Sequence, residues 1–127
     1  MLRRIGAVLA GFAAFALVAS GAVLMARAGW LAYAEAEPAR AYSLTMLLVR
    51  LAAGASATFV GGWVAAKVDR GAGQATLLFG ALLLAISVVW HIRIWDQYPV
   101  WYHLVWFACI VPSAVLGGKL VRKNATR

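Results

Sequence analysis

The sequence predicts an all-α fold: a four-helix transmembrane bundle in one domain over residues 1–127, running up-down-up-down with both termini cytoplasmic. Three observations predict it. Four apolar stretches are each long enough to cross a bilayer, because about 20 residues at about 1.5 Å each span a hydrocarbon core of roughly 30 Å. Basic residues gather at the ends of these stretches. The stretches also carry glycine and alanine at four-residue spacing, the surface by which membrane helices approach closely without a hydrophobic driving force.

Composition agrees. Of 127 residues 65% are apolar, with a mean hydropathy of +0.84, against roughly 45–50% in soluble domains. The net charge of +8 would suggest nucleic acid in a soluble protein. With the basic residues at helix ends, topology and anionic headgroups account for it, and no nucleic-acid partner is expected. The single cysteine, Cys109, sits in an apolar run, so an intrachain disulfide and a Cys-x-x-Cys motif are both excluded. That sets aside the small four-helix membrane enzymes that relay disulfides to quinone, and leaves Cys109 a packing role.

The first helix is expected over about 5–27. Its apolar run exceeds the roughly 7–15 residues of a signal-peptide core, so it reads as a retained span. Residues 27–43 connect it to the second, with Trp30, Tyr33 and Tyr42 placed as an interfacial aromatic belt. A helix is expected to restart at Pro38, with proline in its first turn and Glu37 at its positive end. The second span, about 41–67, carries two small-residue stripes that include Gly54, Ala57, Gly61 and Gly62. The turn Val68–Gly73 is short and polar, which makes the second and third helices antiparallel neighbours. The third span covers about 74–94, and the fourth, about 100–121, opens after Pro99. Pro112 should kink the fourth span, Gly117 and Gly118 lie near its end, and the basic tail should fray.

Orientation follows from charge. One side holds Arg3, Arg4, Lys67, Arg70, Lys119, Arg122, Lys123 and Arg127; the other holds Arg27, Arg40, Arg93 and, at its border, Arg50. Eight against four places the richer side in the cytoplasm. A multi-pass protein of a bacterial cytoplasmic (inner) membrane is expected, with the lipid bilayer as its first partner.

Arg50 is the sharpest feature. An embedded charge costs about 2.5–3.5 kcal/mol on insertion scales, so it snorkels or finds a partner, with Glu35, Glu37 and Asp96 as candidates. The alternative is a site for an anion or lipid headgroup. His91 and His103, near facing helix ends, either donate to carbonyls or ligate a haem iron or a metal. No carboxylate pair, Ser-His-Asp set, phosphate loop or complete metal set is legible, so neither catalytic residue, metal nor cofactor is expected, haem being the alternative.

The stretch Gly61–Gly71, GGWVAAKVDRG, resembles the cytoplasmic loop after the second helix of major-facilitator transporters, although its acid arrives late and the chain has a third of their helices. In size and helix number the chain is similar to the small multidrug exporters, without the glutamate of their first helix. As a whole, through Gly61-Gly62-Trp63, Pro99-x-Trp101-Tyr102-His103 and Pro112 followed by Gly117-Gly118, it resembles small four-helix membrane proteins of bacteria, a likeness that implies no activity. The expected function is a non-enzymatic accessory or scaffold subunit packing against other membrane helices or against itself. The alternatives are an oligomeric transporter or channel reading an anion at Arg50, and a haem- or quinone-associated redox subunit using His91 and His103.

Overall fold

The computed structural model describes residues 1–70 and 73–125. Gly71 and Ala72 of the expected turn, and Arg127 of the basic tail, lie outside the described residues. Among the described residues there are five α-helices, α1 (Leu2–Gly29), α2 (Leu31–Ala36), α3 (Leu44–Val68), α4 (Gln74–Arg93) and α5 (Val100–Ala125), with a 3-10 turn at Trp95–Gln97 between the last two. Among the described residues there is no strand. Four helices, α1, α3, α4 and α5, are long and apolar enough to cross a membrane. Their outward faces carry Leu9, Leu17, Leu48, Leu82, Ile86 and Leu104 exposed, side chains that hydrocarbon solvates and water does not.

Two boundaries differ from the sequence reading. The connection after α1 is partly helical, and the chain does not restart a helix at Pro38. Residues 37–40 form a turn in which Arg40 takes a left-handed φ of 50°, and α3 begins only at Leu44. Ser43 sets that start: its Oγ accepts from the Met46 N–H at 3.3 Å, while the Ser43 N–H points to Met46 Sδ at 3.4 Å. This reciprocal cap occupies backbone donors that the first turn leaves unpaired. The second difference is at the far end. α5 runs through Pro112 and on to Ala125, so Lys119, Arg122 and Lys123 sit on helix, where the sequence suggested a frayed tail.

The connection is clasped to α1 by Arg27, whose Nε and Nη2 donate to the two carboxylate oxygens of Glu37 at 2.6 and 2.8 Å. That hydrogen bond holds the Glu37 carboxyl below its ordinary value. A carboxyl depressed by folding stabilises the folded state above its unfolded value, and the contribution is lost as pH falls through the folded value. The wild type should therefore melt above Glu37→Gln at neutral pH, and the gap should close well below roughly pH 4. A gap that persists in acid would mean the clasp is not ionic.

Small residues decide how the long helices meet. On α3, Ala57 and Ala65 are fully buried and Gly61 and Gly62 are enclosed. Gly54 faces Trp106, and Gly62 faces the Ala114 carbonyl, so α3 and α5 lie side by side in the same sense. Gly117 answers from α5 by lying on the backbone of Phe59 and Trp63, and Gly118 lies on Thr76. Gly11 brings α1 onto the same stripe: a Cβ there would meet the Gly61 carbonyl at 2.9 Å. Phe79, fully buried, fills the space between them and meets Phe12 edge-on at 5.1 Å. The stripes on α3 and α5 are thus consumed within the bundle. Those on α1 are not: a Cβ at Gly6 or Gly21 would meet nothing within 4 Å.

The turn into α4 is held from within. Asp69, 2% exposed, accepts from the Ala75 N–H at 3.4 Å and caps α4 from across the turn, with Arg3 at 4.0 Å. Gly73, the residue before the helix, takes φ 79°, a conformation that penalises any side chain. The acid of the polar turn is therefore a buried cap.

Candidate functional site

The opposite end of the bundle, where α1 passes into α2 and α4 into α5, gathers all four tyrosines of the chain around Arg50. Arg50 lies two turns into α3 and is half-buried. Its Nη1–H donates to Tyr33 Oη at 2.5 Å, its Nε–H to Tyr102 Oη at 3.4 Å and its Nη2–H to Tyr98 Oη at 3.5 Å. The guanidinium carbon also sits 4.8 Å from the Tyr42 ring centroid and 5.7 Å from that of Tyr98, within cation–π range. Each tyrosine arrives from a different piece of chain. Tyr33 comes from α2, Tyr42 from just before the Ser43 cap, Tyr98 from the residue before Pro99, and Tyr102 from the first turn of α5. Their rings pack on one another, Tyr33 on Tyr42 at 5.4 Å, Tyr42 on Tyr98 at 5.9 Å and Tyr98 on Tyr102 at 4.9 Å.

No carboxylate completes this arrangement. Among the described residues the two ion pairs are Arg27 with Glu37 and Arg3 with Asp69. The expectation that Glu35, Glu37 or Asp96 pairs with Arg50 is therefore corrected: Glu37 is spent on Arg27, while Glu35 and Asp96 lie beyond ion-pair distance. Burial pushes the Tyr42 hydroxyl above its ordinary range, so that ring stays neutral and offers no phenolate in place of an acid. Arg50 is hydrogen-bonded and has no ion-pair partner among the described residues.

His91 on α4 and His103 on α5 are both buried, and their Nδ1 atoms lie 2.6 Å apart. His103 Nε2 is 3.1 Å from the Trp95 carbonyl oxygen, and the Trp95 ring stacks on His103 at 4.4 Å. These contacts assign the tautomers. A carbonyl only accepts, so His103 Nε2 carries its proton. With both rings neutral, His103 Nδ1 then accepts and His91 Nδ1–H donates. The proton of His91 is thereby placed on Nδ1, and Nε2 is left with a bare lone pair that has no hydrogen-bond partner among the described residues. The pair also bears on the haem alternative. Facing nitrogens in hydrogen-bond contact leave no gap for a porphyrin iron between them, and no third ligand residue joins them among the described residues.

Two cavities meet at this cluster. One, of about 340 Å³, runs between α1, α3 and α4, lined by Ala19, Val23, Leu83 and Ile86 with Arg50 and His91 at its polar end. The other, of about 910 Å³, opens among Arg27, Arg40, Asp96 and Tyr98 and is bordered by the same Arg50 and His91. Asp96, in the exposed turn Trp95–Gln97, lines this wider cavity without pairing to Arg50. An apolar pocket with a few convergent polar groups is the common form of a small-ligand site.

The tyrosine cage is what sequence reasoning missed. Tyr33 and Tyr42 carry the composition of an interfacial belt, and nothing in their spacing points them at α3. The available signal is that every tyrosine lies in or beside the two connections at the Arg50 end. Fold and site together define a helical protein with four candidate membrane spans and, among the described residues, an arginine without an ion-pair partner at one end of its bundle. Comparison with family models, with curated proteins and with solved structures finds no match.

Proposed function

We propose that this chain is a non-enzymatic membrane protein of a bacterial inner membrane, with both termini in the cytoplasm, that binds an anion-headed amphiphile near the outer leaflet. The carrying observation is an Arg50 charge held by three tyrosine hydroxyls, with no carboxylate within ion-pair distance, at the head of an apolar cavity. A guanidinium has more N–H groups than the three used on tyrosine, and each tyrosine hydroxyl still has its own hydrogen to give. The cage is therefore rich in donors, which suits an oxyanion. A unit negative charge about 4 Å from the guanidinium gains on the order of 4 kcal/mol at an effective dielectric of about 20, before its own desolvation. The excess of basic residues at the other end supports the orientation.

The test is binding of dioleoyl phosphatidic acid against phosphatidylcholine of the same chains, followed by native mass spectrometry in a neutral detergent. The wild type should prefer the anionic lipid at least tenfold, and Arg50→Gln should erase that preference while Arg40→Gln, at the exposed rim, keeps most of it. Equal retention of both lipids by the wild type would overturn the reading.

A second reading, an accessory or self-associating role, keeps one specific support. α1 is the least buried of the four spans, and it presents Gly6 and Gly21 with open space above them, the surface membrane helices use for close association. The glycines of α3 and α5 no longer argue for it, since they are occupied internally.

A further inference from the structure

We infer that the head this site prefers is a phosphate monoester on a lipid tail, read by Arg50 and the tyrosines on its oxyanion side and by His91 Nε2 on its remaining P–OH. This rests on the amphiphile-binding reading and adds the identity of the head. The argument runs through the imidazole pair. The Trp95 carbonyl holds a proton on His103 Nε2 at 3.1 Å, and the 2.6 Å contact passes the constraint on, so in the neutral pair the proton of His91 lies on Nδ1. The nitrogen facing the cavities is consequently an acceptor. In the narrower cavity the guanidinium carries no lone pair to offer, the tyrosine oxygens already accept from it, and Ser87 brings a hydroxyl that can also donate, while the carboxylates Glu37 and Asp96 line only the wider cavity. One fixed acceptor beside a cluster of donors and a positive charge matches a head that is both an anion and a hydroxyl donor.

Few lipid heads satisfy both. A monoprotonated phosphomonoester has oxyanion oxygens for Arg50, Tyr33 and Tyr102 and one P–OH for His91. A phosphodiester has the anion but no P–OH, so its esterified oxygen would face the imidazole lone pair across the cavity. A carboxylate has the charge and nothing to donate. The tail belongs in the narrower cavity, which is apolar along α1 and α4 and lies within the roughly 300–1,000 Å³ of small-ligand sites. The second ionisation of a phosphomonoester falls at about pH 6, so a large share of such heads retains the proton near that pH.

The experiment compares dioleoyl phosphatidic acid with dioleoyl phosphatidylmethanol, its phosphodiester of equal tail, on the full chain in detergent near pH 6. The wild type should bind the monoester at least fivefold more tightly, and His91→Phe should bring the two lipids level. Equal binding of the two lipids by the wild type overturns this inference and leaves the amphiphile reading standing. Failure of both lipids to exceed phosphatidylcholine overturns that reading itself. Inorganic phosphate displacing the lipid at comparable concentration would overturn the lipid-borne source. Because His91→Phe also strips His103 of its partner and can fail to fold, a measurement on the wild type stands beside it. In ¹⁵N-histidine NMR one ring should be the Nδ1–H tautomer and the other Nε2–H, and the bare His91 Nε2 should shift on adding phosphatidic acid and stay in place on adding phosphatidylmethanol. Two Nε2–H rings, or the same shift with both lipids, overturn the assignment of His91.

Discussion

Gly117→Ala should destabilise the bundle by about 2–4 kcal/mol, although it adds a single methyl group. A Cβ at that position would meet the Phe59 carbonyl and stand 2.9 Å from the Trp63 nitrogen. Both belong to the α3 backbone, and unlike a flexible side chain they have no rotamer by which to move aside. The only relief is separation of α3 from α5, which also parts Gly62 from Ala114 and Gly54 from Trp106. In lipid there is no water to expel and close van der Waals contact is the main attraction, so a lost contact is not repaid elsewhere. Gly6→Ala is the matched control. Its Cβ meets nothing within 4 Å, and alanine gains about 0.5–1 kcal/mol over glycine inside a helix. Unfolding in mixed detergent micelles should move in opposite directions for the two variants. Equal midpoints would show that the α3–α5 contact is looser than its backbone approach implies.

His103→Leu should cost about 2 kcal/mol, and the double variant His91→Leu, His103→Leu markedly less than the two single losses combined. His103 is fully buried between His91 and the Trp95 carbonyl. Its removal leaves the His91 Nδ1–H facing a leucine, and a buried donor without a partner costs about 1–3 kcal/mol. Replacing both members removes the donor with the acceptor, and a pair exchanged for apolar groups of similar shape can be nearly neutral. A double-mutant cycle measured by unfolding midpoint reads this coupling directly. Additive losses would show that the two imidazoles do not act as a pair. The double variant also separates stability from binding, because it should fold and yet lose the discrimination between monoester and diester heads.

Much of the architecture was legible before any coordinates. Length and apolar content make the four spans, since hydrocarbon on this scale has no place in a soluble domain of this size. The four-residue spacing of Ala57, Gly61 and Ala65 puts them on one face by helix geometry alone. Element ends were less legible. The start of α3 hangs on Ser43 and Met46 capping each other, with sulfur taking the part usually played by a carboxamide or carboxylate, a pairing that the usual Ser-x-x-Glu pattern does not flag. The buried role of Asp69 was hidden for a similar reason: a carboxylate in a Gly-rich turn is solvated unless the helices on both sides close over it.

By itself the sequence determined that four helices are long and apolar enough to cross a membrane, where the charges gather and which helix faces are small enough to touch, because these follow from hydropathy and helical periodicity, which are local. Only the tertiary structure decided what surrounds Arg50. Tyr33, Tyr42, Tyr98 and Tyr102 are separated from it by up to 52 positions, and their convergence depends on how α2 and the Trp95–Gln97 turn fold over the bundle end. The tautomer of His91 was likewise invisible in the chain, since it is dictated by a carbonyl that folding alone brings to its neighbour.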